Sequence, residues 1–330
     1  MGEGSIEQAV MPDAAALDKV HAAIAAYNAE RPQQENTMQV RVTFIVGGYV
    51  VLAFFILLIL YNDYRGAFGY GFGIAVFGSW WVWDMAMQPT KTFQQDLRDR
   101  LLPVIFGFVD RVRYSKGDTP RFMEHFPKKA LMRYGHSIHD DAISGAYDGM
   151  DFMLSETELA SGSGKNKQVL FKGVVFHFVR PVAFDGILSA TKRPTGLMKF
   201  LFGSEGLELV KSGNVFADAS HEFRTDRPGP ETERLLGPLG AALEYLSQTW
   251  RDGEVRIALT GTEGFLLVPS SKNFFELPDI AHDIDFDRHV RPMIRDLVTL
   301  LVTARLVSKI GESPSEAPNR IREPGLRGSL

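Results

Sequence analysis

Two groups of residues have the types and the density for metal chemistry. His136, His139, Asp140 and Asp141 form an HxxHDD run. On a helix, the i, i+3 spacing would set both imidazoles on one side, within reach of one divalent ion. His282, Asp283, Asp285, Asp287 and His289 form the second group. Three carboxylates make a calcium-type donor set, but the central Gly and closing Glu of an EF-hand loop are missing. A plainer reading competes at each place. The first group suits a polar loop joining a helical segment to a strand. The second suits acidic residues ahead of a helix N-terminus, where the macrodipole favours negative charge. We prefer the plainer readings, so His136, His139, Asp140, Asp141, His282, Asp283, Asp285 and Asp287 are held as candidates and no catalytic, cofactor or metal residue is assigned. A joint site requires a fold that brings the groups together.

Other chemistry is harder to find. Ser163, Gly164 and Lys165 lie in an SGSGKN run, but a phosphate-binding loop needs a Gly where Leu159 stands and a Ser or Thr where Asn166 stands. A turn between two strands explains them. There is no GxSxG elbow for a serine nucleophile. Gly69, Gly71 and Gly73 fall inside an apolar segment, where a dinucleotide fingerprint has no meaning. The chain has no cysteine, which removes disulfides, thiolate zinc sites and a thiol nucleophile, and fits a reducing compartment. No cofactor is expected. The net charge is −4, so nucleic acid binding gains no support.

The elements that would position these residues are organised around residues 42–83. Residues 42–61 (VTFIVGGYVVLAFFILLILY) carry no charge, and 20 residues of helix span about 30 Å, the thickness of a bilayer core. Residues 66–83 (GAFGYGFGIAVFGSWWVW) also carry no charge but are shorter and rich in Gly. Tyr61, Tyr64 and Tyr70 gather near the turn, and Trp80, Trp81 and Trp83 at the far end, as interfacial belts do. We expect a two-helix transmembrane hairpin. Arg65 alone is basic in the turn, whereas Arg31, Arg41, Lys91, Arg98 and Arg100 flank the hairpin, so both termini are expected on the cytoplasmic side of the membrane. The first span would act as an uncleaved signal anchor. Gly69 and Gly73 form a GxxxG spacing, suited either to packing inside the hairpin or to a homo-oligomer contact.

Around the hairpin, residues 1–41 read as a cytoplasmic tail with one amphipathic helix over 13–30, capped by Asp13 and broken at 31–37. Residues 84–139 read as a helical membrane-proximal segment, with helices over 92–112 and 121–133. From residue 140 the pattern turns to β-branched and aromatic enrichment, with strands over 142–147, 151–158, 167–180, 187–193, 207–211 and 222–225. Residues 194–202 read as a short helix and 231–250 as an amphipathic one. Residues 255–260 and 265–269 read as a hairpin around GTEG. Residues 288–310 form a last amphipathic helix, whose Arg295, Asp296 and Arg305 argue against a third span. Residues 311–330 read as a disordered tail. The expected class is α+β, a cytoplasmic domain over 140–310 with a mainly antiparallel sheet and flanking helices.

Three stretches carry a resemblance: DDAISGAYDGMDFMLSETEL, GSGKNKQVLFKGVVFHF and EFRTDRPGPETERLLGP. Together they are similar to bacterial proteins catalogued as domain of unknown function 3137, over roughly residues 93–278. The loop at 225–230 departs from the family's pattern. The resemblance implies a membrane hairpin followed by a cytoplasmic domain; it implies no catalytic residues. The expected role is a membrane-tethered, non-enzymatic domain that binds a protein partner. The alternatives are a metal-dependent hydrolase built on the two His/Asp groups, and an anionic lipid sensor using Lys116, Arg121, Lys128, Lys129 and Arg133.

Overall fold

The computed structural model describes residues 12–193, 206–250 and 252–308. It is α+β, with a mainly antiparallel sheet flanked by helices. Helix α1 (Ala14–Asp63) is capped by the Asp13 carboxylate, which accepts from the Ala16 N–H at 2.7 Å. A 3-10 turn (Arg65–Ala67) leads into α2 (Phe68–Ile105), which runs back along α1. The antiparallel pairing is visible in its contacts. Tyr61 meets Phe68 edge to face, the Tyr49 hydroxyl donates to the Ala75 carbonyl at 2.6 Å, and Tyr27 stacks on Phe93.

Both helices are longer than the sequence pattern indicates. The expected break at 31–37 is absent, and α1 continues through Pro32. Proline removes one N–H from the ladder and crowds the preceding turn, a cost of about 3 kcal/mol. Tertiary contacts on the same turn offset it. Asn28 both donates to the Ile284 carbonyl and accepts from its N–H, each at 2.9 Å, and Arg31 reaches Asp283 and the Ile280 carbonyl. Similarly, the helix expected over 92–112 is the end of α2, and its last residues instead open strand β1 (Asp110–Lys116).

Among the described residues α1 is the one helix long and apolar enough to cross a membrane, with a window of mean hydropathy 2.7 of which none is buried. Large apolar side chains on α2 are also exposed, including Phe77 at 81% and Trp80 at 77%. Gly71 and Gly78, not Gly69 and Gly73, face α1: a Cβ there would meet Leu60 or the Tyr49 hydroxyl, whereas nothing lies within 4 Å at Gly69 or Gly73. The GxxxG pair therefore does not pack inside the helix pair.

The sheet has seven strands: β1, β2 (His136–Tyr147), β3 (Met150–Ser161), β4 (Gln168–Lys192), β5 (Glu208–Val210), β6 (His221–Thr225) and β7 (Arg256–Pro269). All pairings are antiparallel. The spine is β4 beside β7. Two strands were expected along β4, but it is one strand of 25 residues. Its first half pairs β3 and its second half β6, while β7 follows it on the other side. Register shifts between Val179 and Ile187 absorb Pro181. GTEG, expected as a turn, is likewise inside β7. Residues 121–133 hold one 3-10 turn (Arg121–Glu124) in place of a helix.

One hydrophobic core lies between the sheet and the helices. It takes Val20 and Ile24 from α1, Leu101, Leu102 and Ile105 from α2, Leu239 and Leu243 from α4 (Pro230–Thr249), and Leu297 and Leu301 from α5 (Arg291–Ser308). α5 is largely buried in this core, as its internal charges indicate for a helix that does not span. The opposite sheet face is covered by residues 122–132, whose Phe122, Phe126 and Leu131 pack on Leu159, Phe171 and Phe265. A short helix α3 (Val215–Ser220) precedes β6. The helix expected over 194–202, the tail over 311–330 and residues 1–11 lie outside the described residues.

Candidate carboxylate site

The first His/Asp group lies on a strand, and this decides its chemistry. In β2, His139 pairs Thr157 of β3 and Ala142 pairs Ser155. Two residues, Asp140 and Asp141, therefore face the single residue Glu156. This is a β-bulge, which re-aims side chains that a regular strand would send to opposite faces. The carboxylate oxygens of Asp140, Asp141 and Glu156 lie within 4.8 Å of one another, and among the described residues this is the one group able to hold a metal ion. Asp140 is exposed and Asp141 is 0% exposed.

The protein itself supplies partners. Arg98 from α2 reaches Asp141 at 3.0 Å, and the Tyr114 hydroxyl of β1 donates to the same carboxylate. Burial raises the Asp141 pKa, against the lowering effects of Tyr114 and Arg98. Burial and the hydrogen bond to Asp141 raise the Tyr114 pKa. Glu156 accepts from the Phe274 N–H. Its pKa is raised to about 7, mainly by burial and further by Asp141 and Asp140, with the backbone hydrogen bonds opposing. Glu156 thus exchanges a proton near neutrality. A cavity of about 210 Å³ opens beside it, lined among others by Asp140, Lys172, Lys272 and Asn273. The arrangement can bind a proton at Glu156, while Arg98 already supplies a cation to Asp141.

The histidines do not join it. On a strand, i and i+3 point to opposite faces, so the single-sided geometry of a helix does not arise. His136 is exposed. His139 is buried with its ring nitrogens 3.0 Å from the Thr157 hydroxyl and 3.1 Å from the Ser137 hydroxyl, and burial lowers its pKa. The loop reading of this run is also corrected, because it is regular strand on either side of the bulge.

The second group is spent on structure. Asp285 caps the π-helical turn Phe286–Val290 and accepts from the Arg288 N–H. Its own N–H donates to His289 at 2.9 Å. Asp283 pairs Arg31 at 2.8 Å, Asp287 pairs Arg291 at 2.6 Å and His282 pairs Asp279 at 2.7 Å. These contacts tie α1 and the start of α5 to one loop. The two His/Asp groups form no joint metal-capable cluster among the described residues.

Glu156, Arg98 and Tyr114 were missed from the sequence. The available signal was the DD pair itself, which breaks the two-residue alternation of a strand and marks a bulge. Ser163–Lys165 lie in the β3–β4 turn, as expected, and Lys167 pairs Glu158 at 2.8 Å.

No family model matches the chain, and no curated protein matches it. Among solved structures, the fold is similar to the crystal structure of the mycobacterial trehalose monomycolate transport factor A. The two share 9% identity, with a TM-score of 0.32, over 58% of this chain and 88% of that one. A likeness this loose carries no argument about role.

Proposed function

We propose that the chain is a multi-pass protein of the bacterial inner membrane. In this reading α1 and α2 cross the bilayer as a hairpin over residues 42–83 and hold the α+β domain in the cytoplasm with both termini. The observation that carries it is the bare apolar surface of α1: a stretch of mean hydropathy 2.7 with nothing buried is stable against acyl chains and unfavourable in water. The exposed aromatic side chains of α2 support the second crossing. The order of elements is also the one implied by the resemblance to domain of unknown function 3137, which we keep as part of the same proposal. A reporter fused after Leu330 should be active on the cytoplasmic side, and periplasmic activity would overturn the topology.

Within that topology we read the domain as a tethered interaction module for a protein partner. The carboxylates that suit catalysis are engaged by Arg98, Tyr114 and the Phe274 N–H, which supports a structural role for them. The two histidine groups share no metal-capable cluster among the described residues, so the hydrolase reading gains no support from them. Crosslinking in intact membranes followed by purification should yield one partner in constant ratio. The open faces of Gly69 and Gly73 make a second copy of the chain one such partner. A chain that crosslinks to nothing would remove the module reading.

A further inference from the structure

We propose that the β3–β4 end of the sheet is a second membrane contact, resting on the bilayer surface beside α2 and binding anionic lipid headgroups. The proposal rests on the reading that residues 42–83 lie in the bilayer, and it names a ligand for the domain that the anchor alone does not supply.

The strand register gives the position. Strand β1 runs back along α2: Asp110 follows the helix end, while Tyr114 and Asp141 meet at the level of Arg98. The far part of β2 lies by the α2 end, where Gly145 faces Val109 and Asp110. From Gly145 to Asp141, β2 therefore heads towards the apolar half of α2. His136 lies farther along the same line, before the bulge that takes up one residue. The extra reach is about 13 Å at about 3.3 Å per residue. On α2 the same rise takes about nine residues, from Arg98 back to the neighbourhood of Pro89. The apolar stretch ends at Trp83. The strand end thus reaches the depth of the headgroups, and the β3–β4 turn, beyond it, is in contact with them.

The side chains at this end suit that position. Lys165 is exposed at the turn. Lys128 stands over the Tyr134 ring at 4.3 Å, and its segment is tied to this edge by the Gly135 N–H donating to the Ala160 carbonyl at 2.9 Å. Lys167 pairs Glu158 at 2.8 Å. Ile138 and Val169 are exposed by 56% and 49%, as side chains that enter the interfacial layer would be. Beside Ile138 a cavity of about 280 Å³ is lined among others by His136, Glu158, Gly162, Ser163 and Lys167, with Glu158 already paired to Lys167. Amines with adjacent apolar side chains match a phosphate headgroup with its first acyl carbons.

The absence of cysteine makes the test direct, because each introduced thiol is unique. The full chain would carry a fluorophore at Ser163→Cys, Val179→Cys or Phe54→Cys. Each form would be reconstituted into phosphatidylcholine vesicles with or without phosphatidylglycerol, containing lipids quenching at headgroup or acyl depth. We expect headgroup quenching at 163 about threefold that at 179, in phosphatidylglycerol vesicles only. It should fall to the 179 level in the K165E/K167E chain, and at about 1 M salt, where the Debye length is about 3 Å. Acyl-depth quenching at 54 with no excess at 163 overturns the contact and leaves the anchor standing. Quenching at 163 that persists in the charge-reversed chain overturns headgroup binding. No quenching at 54 overturns the anchor itself.

Discussion

Replacing Glu156 by Gln tests the physics of the bulge most directly. The glutamate is held between Asp140, Asp141 and the Phe274 N–H, with a pKa moved from 4.5 to about 7. A carboxyl that binds its proton more tightly folded than unfolded stabilises the fold fully below the unfolded pKa. That stability is lost as pH rises through the folded pKa. A shift of this size corresponds to about 3 kcal/mol, withdrawn between about pH 4.5 and pH 7. Glutamine keeps an acceptor for Phe274 and presents N–H groups to the two aspartates, as the protonated acid does. At about pH 8, Glu156→Gln should therefore be the more stable chain, by up to about 3 kcal/mol. For a domain of this size that is a rise in Tm of about 6–12 °C. Near pH 4.5 the two chains should melt together. Differential scanning calorimetry of the detergent-solubilised chain at both pH values gives the comparison, with Glu158→Gln, whose partner is Lys167, as the neighbouring control. Equal melting at pH 8, or the same gain at both pH values, would refute the buried-proton account.

Other perturbations act on neighbouring contacts. Arg98→Met leaves Asp141 buried without its cation and should cost about 3–5 kcal/mol in denaturant unfolding. Gly264→Ala would place a Cβ 2.2 Å from the buried Phe178 ring, so it should destabilise by about 1–3 kcal/mol, whereas Gly149→Ala, with space around it, should report only the strain of a positive φ. Gly71→Leu should loosen the α1–α2 pair by clashing with Leu60, while Gly69→Leu should leave the pair intact, as read by crosslinking between the helices. Calcium or manganese titrated into the full chain should give no saturable binding at Asp140, Asp141 and Glu156; one-to-one binding abolished by Glu156→Gln would show a cation site.

Much of the domain was legible from pattern alone. The run of alternating apolar residues in 151–158 and 167–180 marks two strands of the sheet centre, and Leu235, Leu239, Leu243 and Leu246 mark α4. What stayed hidden has specific causes. β1 (DRVRYSK) is an edge strand whose charges protect it from pairing further, so it lacks a strand's apolar signature. β4 hides its length because Pro181 and Gly186 resemble a break, and only its pairing with β7 carries it through. Pro32 resembles a helix stop, and the contacts that override it come from a loop some 250 residues away in the chain. The candidate site was half legible: Asp140 and Asp141 were singled out, but Glu156, Arg98 and Tyr114 reach them through strand pairing and helix packing, which no local window contains.

The unbroken course of α1 has a mechanical consequence. From Leu52, mid-way along the apolar stretch, to Val20 in the domain core, the helix advances about 48 Å without a joint. With the apolar stretch in a bilayer, as proposed, a change in tilt of about 5° would swing the core sideways by about 4 Å. Apolar segments adjust their tilt to the local hydrocarbon thickness. In the proposed topology the helix is a lever with its fulcrum in the lipid and its load the sheet, and without a second contact at the bilayer surface the position of the domain would follow the thickness of the membrane.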